Sequence, residues 1–200
     1  MHHLRDVIAA AVSDLSHVAG SRFALIGGLA VSAHAEPRMT RDVDLAVAVK
    51  TDEEAEQIVF DLQQRGYSVL QTVEQTGTNR LATARLRPPL SSDGGAVVDL
   101  LFASSGIEPE LVAAATEVEL LAGLPVRVAQ LGHLIALKLL SRDDDERPQD
   151  KIDLNALLRE AGDTDFDRAR EAIELIVERG THRGRDLPRA FAELLRQRSS

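Results

Sequence analysis

Between Asp42 and Val49 the chain alternates strictly: Val43, Leu45, Val47 and Val49 on one parity, Asp42, Asp44, Ala46 and Ala48 on the other. Side chains of a strand leave opposite faces with a period of two, so this run reads as a β-strand with one buried face. The same period sends both aspartates out of one face, with backbones about 7 Å apart. Two carboxylates so placed repel each other and lose hydration unless a cation meets them. A domain built on this strand must bury one side of it and leave an acidic floor on the other.

The flanking segments say what surrounds that floor. Leu4, Val7, Ile8, Ala11, Val12, Leu15 and Val18 recur at helical spacing before Gly20. Arg22 to Ile26 predicts a short strand ended by Gly27-Gly28, from which a helix of small residues runs to about Glu36. Glycines between a strand and a helix N-terminus form a turn whose backbone N–H groups can receive phosphate. After the alternating strand, Thr51 and Glu54 form a capping box, and Ala55, Ile58, Val59 and Leu62 stripe the next helix. Strands are predicted at 67–73, 81–86 and 96–102, then a hairpin-like stretch around Gly123-Leu124-Pro125, and helices at 130–140, 150–161, 165–179 and 187–197. The fold class expected is α+β, with a mixed sheet and flanking helices in residues 1–104 and a mostly helical half, 105–200, that completes a cleft.

Asp99 stands alone in the apolar run Val97-Val98-Asp99-Leu100-Leu101-Phe102, where a buried aspartate needs a partner. If its strand neighbours Asp42 and Asp44, all three acids reach one place, and oxygen-only ligands suit magnesium. Arg38, Thr40, Asp42 and Asp44 share one parity and would line a groove wall together if the strand starts early. Lys138 falls at the i+7 position of the stripe Leu131, Leu134, Ile135 and Leu139, where a lysine is costly unless an anion meets it. The alternative is snorkelling to solvent, and either way Lys138→Met should keep stability by filling the stripe.

With 200 residues and 44% hydrophobic content the chain can bury a core, and it has no cysteine for disulfides or thiolate metal sites. No apolar run is long enough to span a membrane and no signal-peptide pattern opens the chain, so a soluble cytoplasmic protein is expected. A formal charge of −9 argues against a general DNA-coating protein. The C-terminal segment runs the other way: Arg179, Arg183, Arg185, Arg189, Arg196 and Arg198 face only Asp186 and Glu193, which marks Arg179, Arg183, Arg185 and Arg189 as candidate RNA contacts.

The stretch ALIGGLAVSAHAEPRMTRDVDLAVAV, residues 24 to 49, resembles the nucleotidyltransferase toxins of the AbiEii/MenT type, in the DNA polymerase β-like superfamily. The resemblance continues through VVDLLF and HLIALKLLSRDDDERPQDKIDL, residues 133 to 154, and stops before the last two helices. It implies that Gly27 and Gly28 cradle a triphosphate, that Asp42 and Asp44 bind Mg2+, and that Asp99 is the third carboxylate, helping to activate an acceptor hydroxyl. It also implies that Lys138 meets the triphosphate and that Asp150 and Asp153 are the family's downstream acids. Gly28 replaces the serine of the wider superfamily, and Gln149 stands where relatives carry arginine. The function implied is transfer of a nucleoside monophosphate from an NTP, a pyrimidine such as CTP, to the 3′ end of tRNA, which would block aminoacylation. A cognate antitoxin would be the protein partner. The competing readings are a small-molecule acceptor such as an aminoglycoside, and an inactive binding or antitoxin module on the same fold.

Overall fold

A computed structural model describes residues 2–36, 40–75, 80–89, 91, 95–142 and 148–198. Seven strands form one mixed sheet: β1 (Phe23–Ile26), β2 (Val43–Val47), β3 (Ser68–Glu74), β4 (Leu81–Arg87), β5 (Val98–Leu101), β6 (Thr116–Leu121) and β7 (Leu124–Val128). Their spatial order is β3-β4-β5-β2-β1-β7-β6. The pairs β2–β5 and β1–β7 are parallel, and the other four are antiparallel. The hairpin expected around Gly123 is β6–β7, and it joins the same sheet as the earlier strands, beside β1.

Eight helices among the described residues surround the sheet: α1 (His2–Ala19), α2 (Gly27–His34), α3 (Asp52–Gln64), α4 (Glu108–Ala114), α5 (Leu131–Ser141), α6 (Pro148–Glu160), α7 (Asp163–Glu178) and α8 (Leu187–Arg198). The cap read at Thr51 forms, its Oγ1 accepting from the Glu54 amide at 3.3 Å. The expected helices and strands are all present, with ends moved by a few residues. The alternating strand is shorter than its pattern, Val43–Val47, because Asp42 and Ala48 lie beyond its ladder with β1. Val43, Leu45 and Val47 are fully buried, and Asp42 and Asp44 on the other parity line the cleft.

Helix α5 is held by contacts with α2, α6, α7 and α8. It meets α7 so closely that a Cβ on Gly132 would stand 2.4 Å from the Asp165 carbonyl oxygen. That packing fixes the helix that carries Lys138. Among the described residues, no helix is long and apolar enough to cross a membrane.

Candidate active site

Strand register sets the floor of the site. Asp44 pairs with Asp99 across β2–β5, and Asp99 pairs with Arg85 across β5–β4. Residues opposite one another on paired strands share a face, so Asp44, Asp99 and Arg85 form one row. Asp42 extends the row by one step along the chain, and its Oδ2 lies 3.9 Å from Arg85 Nη2. Arg85 donates from Nε and Nη2 to the two Asp99 oxygens at 2.8 and 2.7 Å. This charge-assisted fork is the strong form of such a pair. The Arg85 guanidinium is stabilised as a cation foremost by these bonds.

Sequence reasoning missed Arg85. The available signal was parity: in β4, Ala82, Ala84 and Leu86 are buried, while Thr83 and Arg85 on the other parity line the cleft.

The turn into α2 forms one end of the site. Gly27 has φ +65°, and a Cβ there would stand 1.9 Å from Asp44 Oδ2. Glycine is thus required both by the left-handed backbone and by the approach of the carboxylate. Ile26 offers no side-chain cap to the first turn of α2, which suits a helix end that receives an anion. Gly27→Ala is expected to cost about 1–2 kcal/mol for the backbone alone and to displace Asp44. A urea melt together with an activity assay checks both, and an unaltered variant would show that the turn tolerates a side chain.

On the opposite wall, Lys138 donates to Asp150 Oδ1 at 2.7 Å and its Nζ lies 2.8 Å from Asp153 Oδ2. Ser141 Oγ donates to Asp150 Oδ2, and Gln149 Nε2 to Asp153 Oδ1. Lys138 therefore neither packs in the apolar stripe nor snorkels. It is the shared cation of two buried acids, so methionine in its place would leave their charge unpaired, which argues against the expectation that stability would be kept.

These walls enclose a cleft of about 740 Å³ lined by Gly27, Gly28, Thr40, Asp42, Asp44, Asp99, Lys138 and Asp150, among others. Asp153 lies behind Lys138, not on the lining. Arg38 lies outside the described residues. Burial raises the Asp44 carboxyl from an ordinary 3.8 to about 6, with repulsion from Asp99 and Asp42 adding to it and Lys138 and Arg85 opposing it. The floor thus holds a carboxylate whose charged form is disfavoured by burial first and by its acidic neighbours second. Its donor set is carboxylate oxygen only, which fits a hard dication such as Mg2+ held by Asp42 and Asp44. Among the described residues, no three such side chains are arranged to hold one ion, and both Asp99 oxygens accept from Arg85.

The whole-chain comparison decides the family. Residues 13–200 match the model of the nucleotidyl transferase AbiEii toxin family of type IV toxin–antitoxin systems. The chain belongs to that family. No curated protein matches it by sequence. In structure it is similar to an antigenic nucleotidyltransferase-like protein from Paracoccidioides brasiliensis, with a TM-score of 0.53 at 20% identity over 96% of this chain and 93% of that one. It is also similar to ANT(2")-Ia, solved with adenylyl-2"-tobramycin, with a TM-score of 0.52 at 14% identity over 86% of this chain and 98% of that one. These likenesses establish the nucleotidyltransferase fold.

The AbiEii match extends over the arginine-rich end, where the four candidate arginines take different positions. Arg179 forks onto Glu110 at 2.9 and 2.6 Å and also donates to the Gly106 carbonyl. Arg189 pairs with Glu193 one helical turn away. Arg185 donates to the Arg142 carbonyl. Arg183, with φ +54°, lines the cleft and donates to Ser104 O and Oγ at 3.0 Å each. The turn between α7 and α8 therefore forms part of the cleft wall. His34 is structural in placement, its Nε2 meeting the Ala129 carbonyl at 2.8 Å.

Proposed function

We propose that this AbiEii-family chain transfers a nucleoside monophosphate from an NTP, a pyrimidine nucleotide such as CTP, to the 3′-terminal hydroxyl of tRNA. The single observation that carries the reading is the row Asp44–Asp99–Arg85 set in one cleft with the Gly27-Gly28 turn and Lys138. The amides of Gly27 and Gly28 receive the triphosphate, and Lys138 shares its charge between that group and Asp150. Asp42 and Asp44 hold Mg2+, which when bound supplies charge neutralisation and Lewis acidity at phosphate oxygens. The acceptor oxygen attacks the α-phosphorus, the bond to the bridging oxygen breaks, and pyrophosphate leaves. Asp99 orients the acceptor hydroxyl and takes up its proton. A type IV toxin–antitoxin family further implies a partner antitoxin.

A nucleic-acid acceptor is favoured over an aminoglycoside by Arg85 and Arg183, whose guanidinium groups line the cleft and suit phosphate. The arm of the cleft beside β3 and β4 is lined by Gln71, Val73, Thr83 and Leu101. Incubating the protein with total tRNA, Mg2+ and each labelled NTP in turn tests the reading. Label at the tRNA 3′ end from CTP is expected; label on an added aminoglycoside instead would transfer the activity to the small-molecule class, and no transfer to any acceptor would favour an inactive module.

Arginine contacts to phosphate make affinity depend on salt. Replacing Arg183 and Arg185 with alanine is expected to weaken tRNA binding and flatten the slope of log affinity against log salt by up to about one unit per lost contact. Filter binding across a KCl series measures this, and an unchanged slope would place the RNA path away from the α7–α8 turn.

A further inference from the structure

We propose that Arg85 is a positioning residue that keeps Asp99 out of cation binding until an anionic group entering the β3–β4 arm of the cleft takes over its guanidinium. The proposal rests on the cation reading given above for Asp42 and Asp44. Asp99 stands in register between an acid, Asp44, and a base, Arg85, and both of its oxygens are turned to the base. A guanidinium clamped on a carboxylate weakens it as a metal donor and repels a nearby dication.

The two partners differ in freedom. The Asp99 side chain is 9% exposed on an inner strand, whereas Arg85 is 43% exposed on a long, flexible side chain. If the pair separates, Arg85 is the member that moves. The space open to it is the arm lined by Gln71, Val73 and Thr83. A phosphodiester there matches the planar fork of arginine as well as a carboxylate does. Arrival of the acceptor would then release Asp99, so that the third carboxylate joins the site only when there is a hydroxyl to activate. No covalent bond changes in this exchange.

Binding of Mn2+ alone to the whole, nucleotide-free protein, followed by electron paramagnetic resonance, tests the idea without any turnover. Arg85→Gln is expected to bind Mn2+ on the order of tenfold more tightly than wild type, the scale on which outer-sphere partners tune a metal. A single-stranded trinucleotide, with the Mn2+ it binds by itself subtracted, is expected to tighten Mn2+ binding in wild type and to have no effect in Arg85→Gln. In an Asp99→Asn background, Arg85→Gln should tighten Mn2+ binding clearly less, by the lost charge repulsion alone. If Arg85→Gln does not fold, Arg85→Lys keeps the charge but not the fork and should still bind Mn2+ more tightly than wild type. Equal Mn2+ affinity in wild type and the folded Arg85 variant, or a trinucleotide that leaves wild type unchanged, overturns the proposal. Undiminished Mn2+ binding in Asp44→Asn would instead overturn the cation reading on which it stands.

Discussion

Asp44→Asn is expected to abolish nucleotide transfer while making the metal-free protein more stable. The loss should reach at least about a thousandfold, the upper scale for removing one preorganised electrostatic contact, because the proposed metal ligand nearest the Gly27 turn is gone. The gain follows from the Asp44 carboxyl being raised from 3.8 to about 6. A carboxyl with a raised folded-state pKa binds its proton more tightly folded than unfolded. Its folded state is therefore most favoured below about pH 4, loses stability as pH rises from there to about 6, and carries the full deficit above that. At pH 7 the deficit is on the order of 2–3 kcal/mol, and asparagine removes it. Melting curves of both proteins at pH 4 and pH 7.5 measure the effect: a higher Tm for the variant at pH 7.5 only, with added Mg2+ closing the gap by stabilising wild type alone. A variant that keeps near-normal transfer would sink the mechanism, and one less stable than wild type at pH 7.5 would show that the carboxylate is fully compensated.

Lys138→Met should be the most destabilising single change at the site. Asp150 and Asp153 are 7% and 1% exposed and share Lys138 at 2.7 and 2.8 Å. Removing one member of a buried ion cluster leaves charge without its counter-ion, which typically costs about 3–5 kcal/mol. Methionine restores the volume and none of the charge. The triple variant Lys138→Met, Asp150→Asn, Asp153→Asn should recover much of that stability and none of the activity. Denaturant melts of the single and triple variants separate the two contributions. A Lys138→Met protein as stable as wild type would mean that the acids draw enough from Ser141, Gln149 and their other neighbours. The apolar stripe of α5 suggested the opposite outcome, since periodicity shows what a position packs with on its own helix and not which charges a neighbouring helix brings to it.

What the sequence determined by itself was local. Period-two alternation was enough to send Asp42 and Asp44 off one face of β2, because that period is a property of the strand backbone and needs no partner. The glycine pair marked the turn into α2, and Thr51 and Glu54 marked the start of α3, for the same reason: each is settled within a few residues. The arrangement across strands was not legible. That Asp99 faces Arg85 on one side and Asp44 on the other depends on β5 pairing with both β4 and β2. That the β6–β7 hairpin extends the sheet beside β1 depends on β1 offering its second edge to β7, a pairing between segments far apart in the chain. Only tertiary packing brought Lys138 to Asp150 and Asp153, and the Arg183 turn to the cleft wall. Side-chain period records which face a residue takes, but the neighbour on that face is chosen by long-range burial and register, which no local window contains.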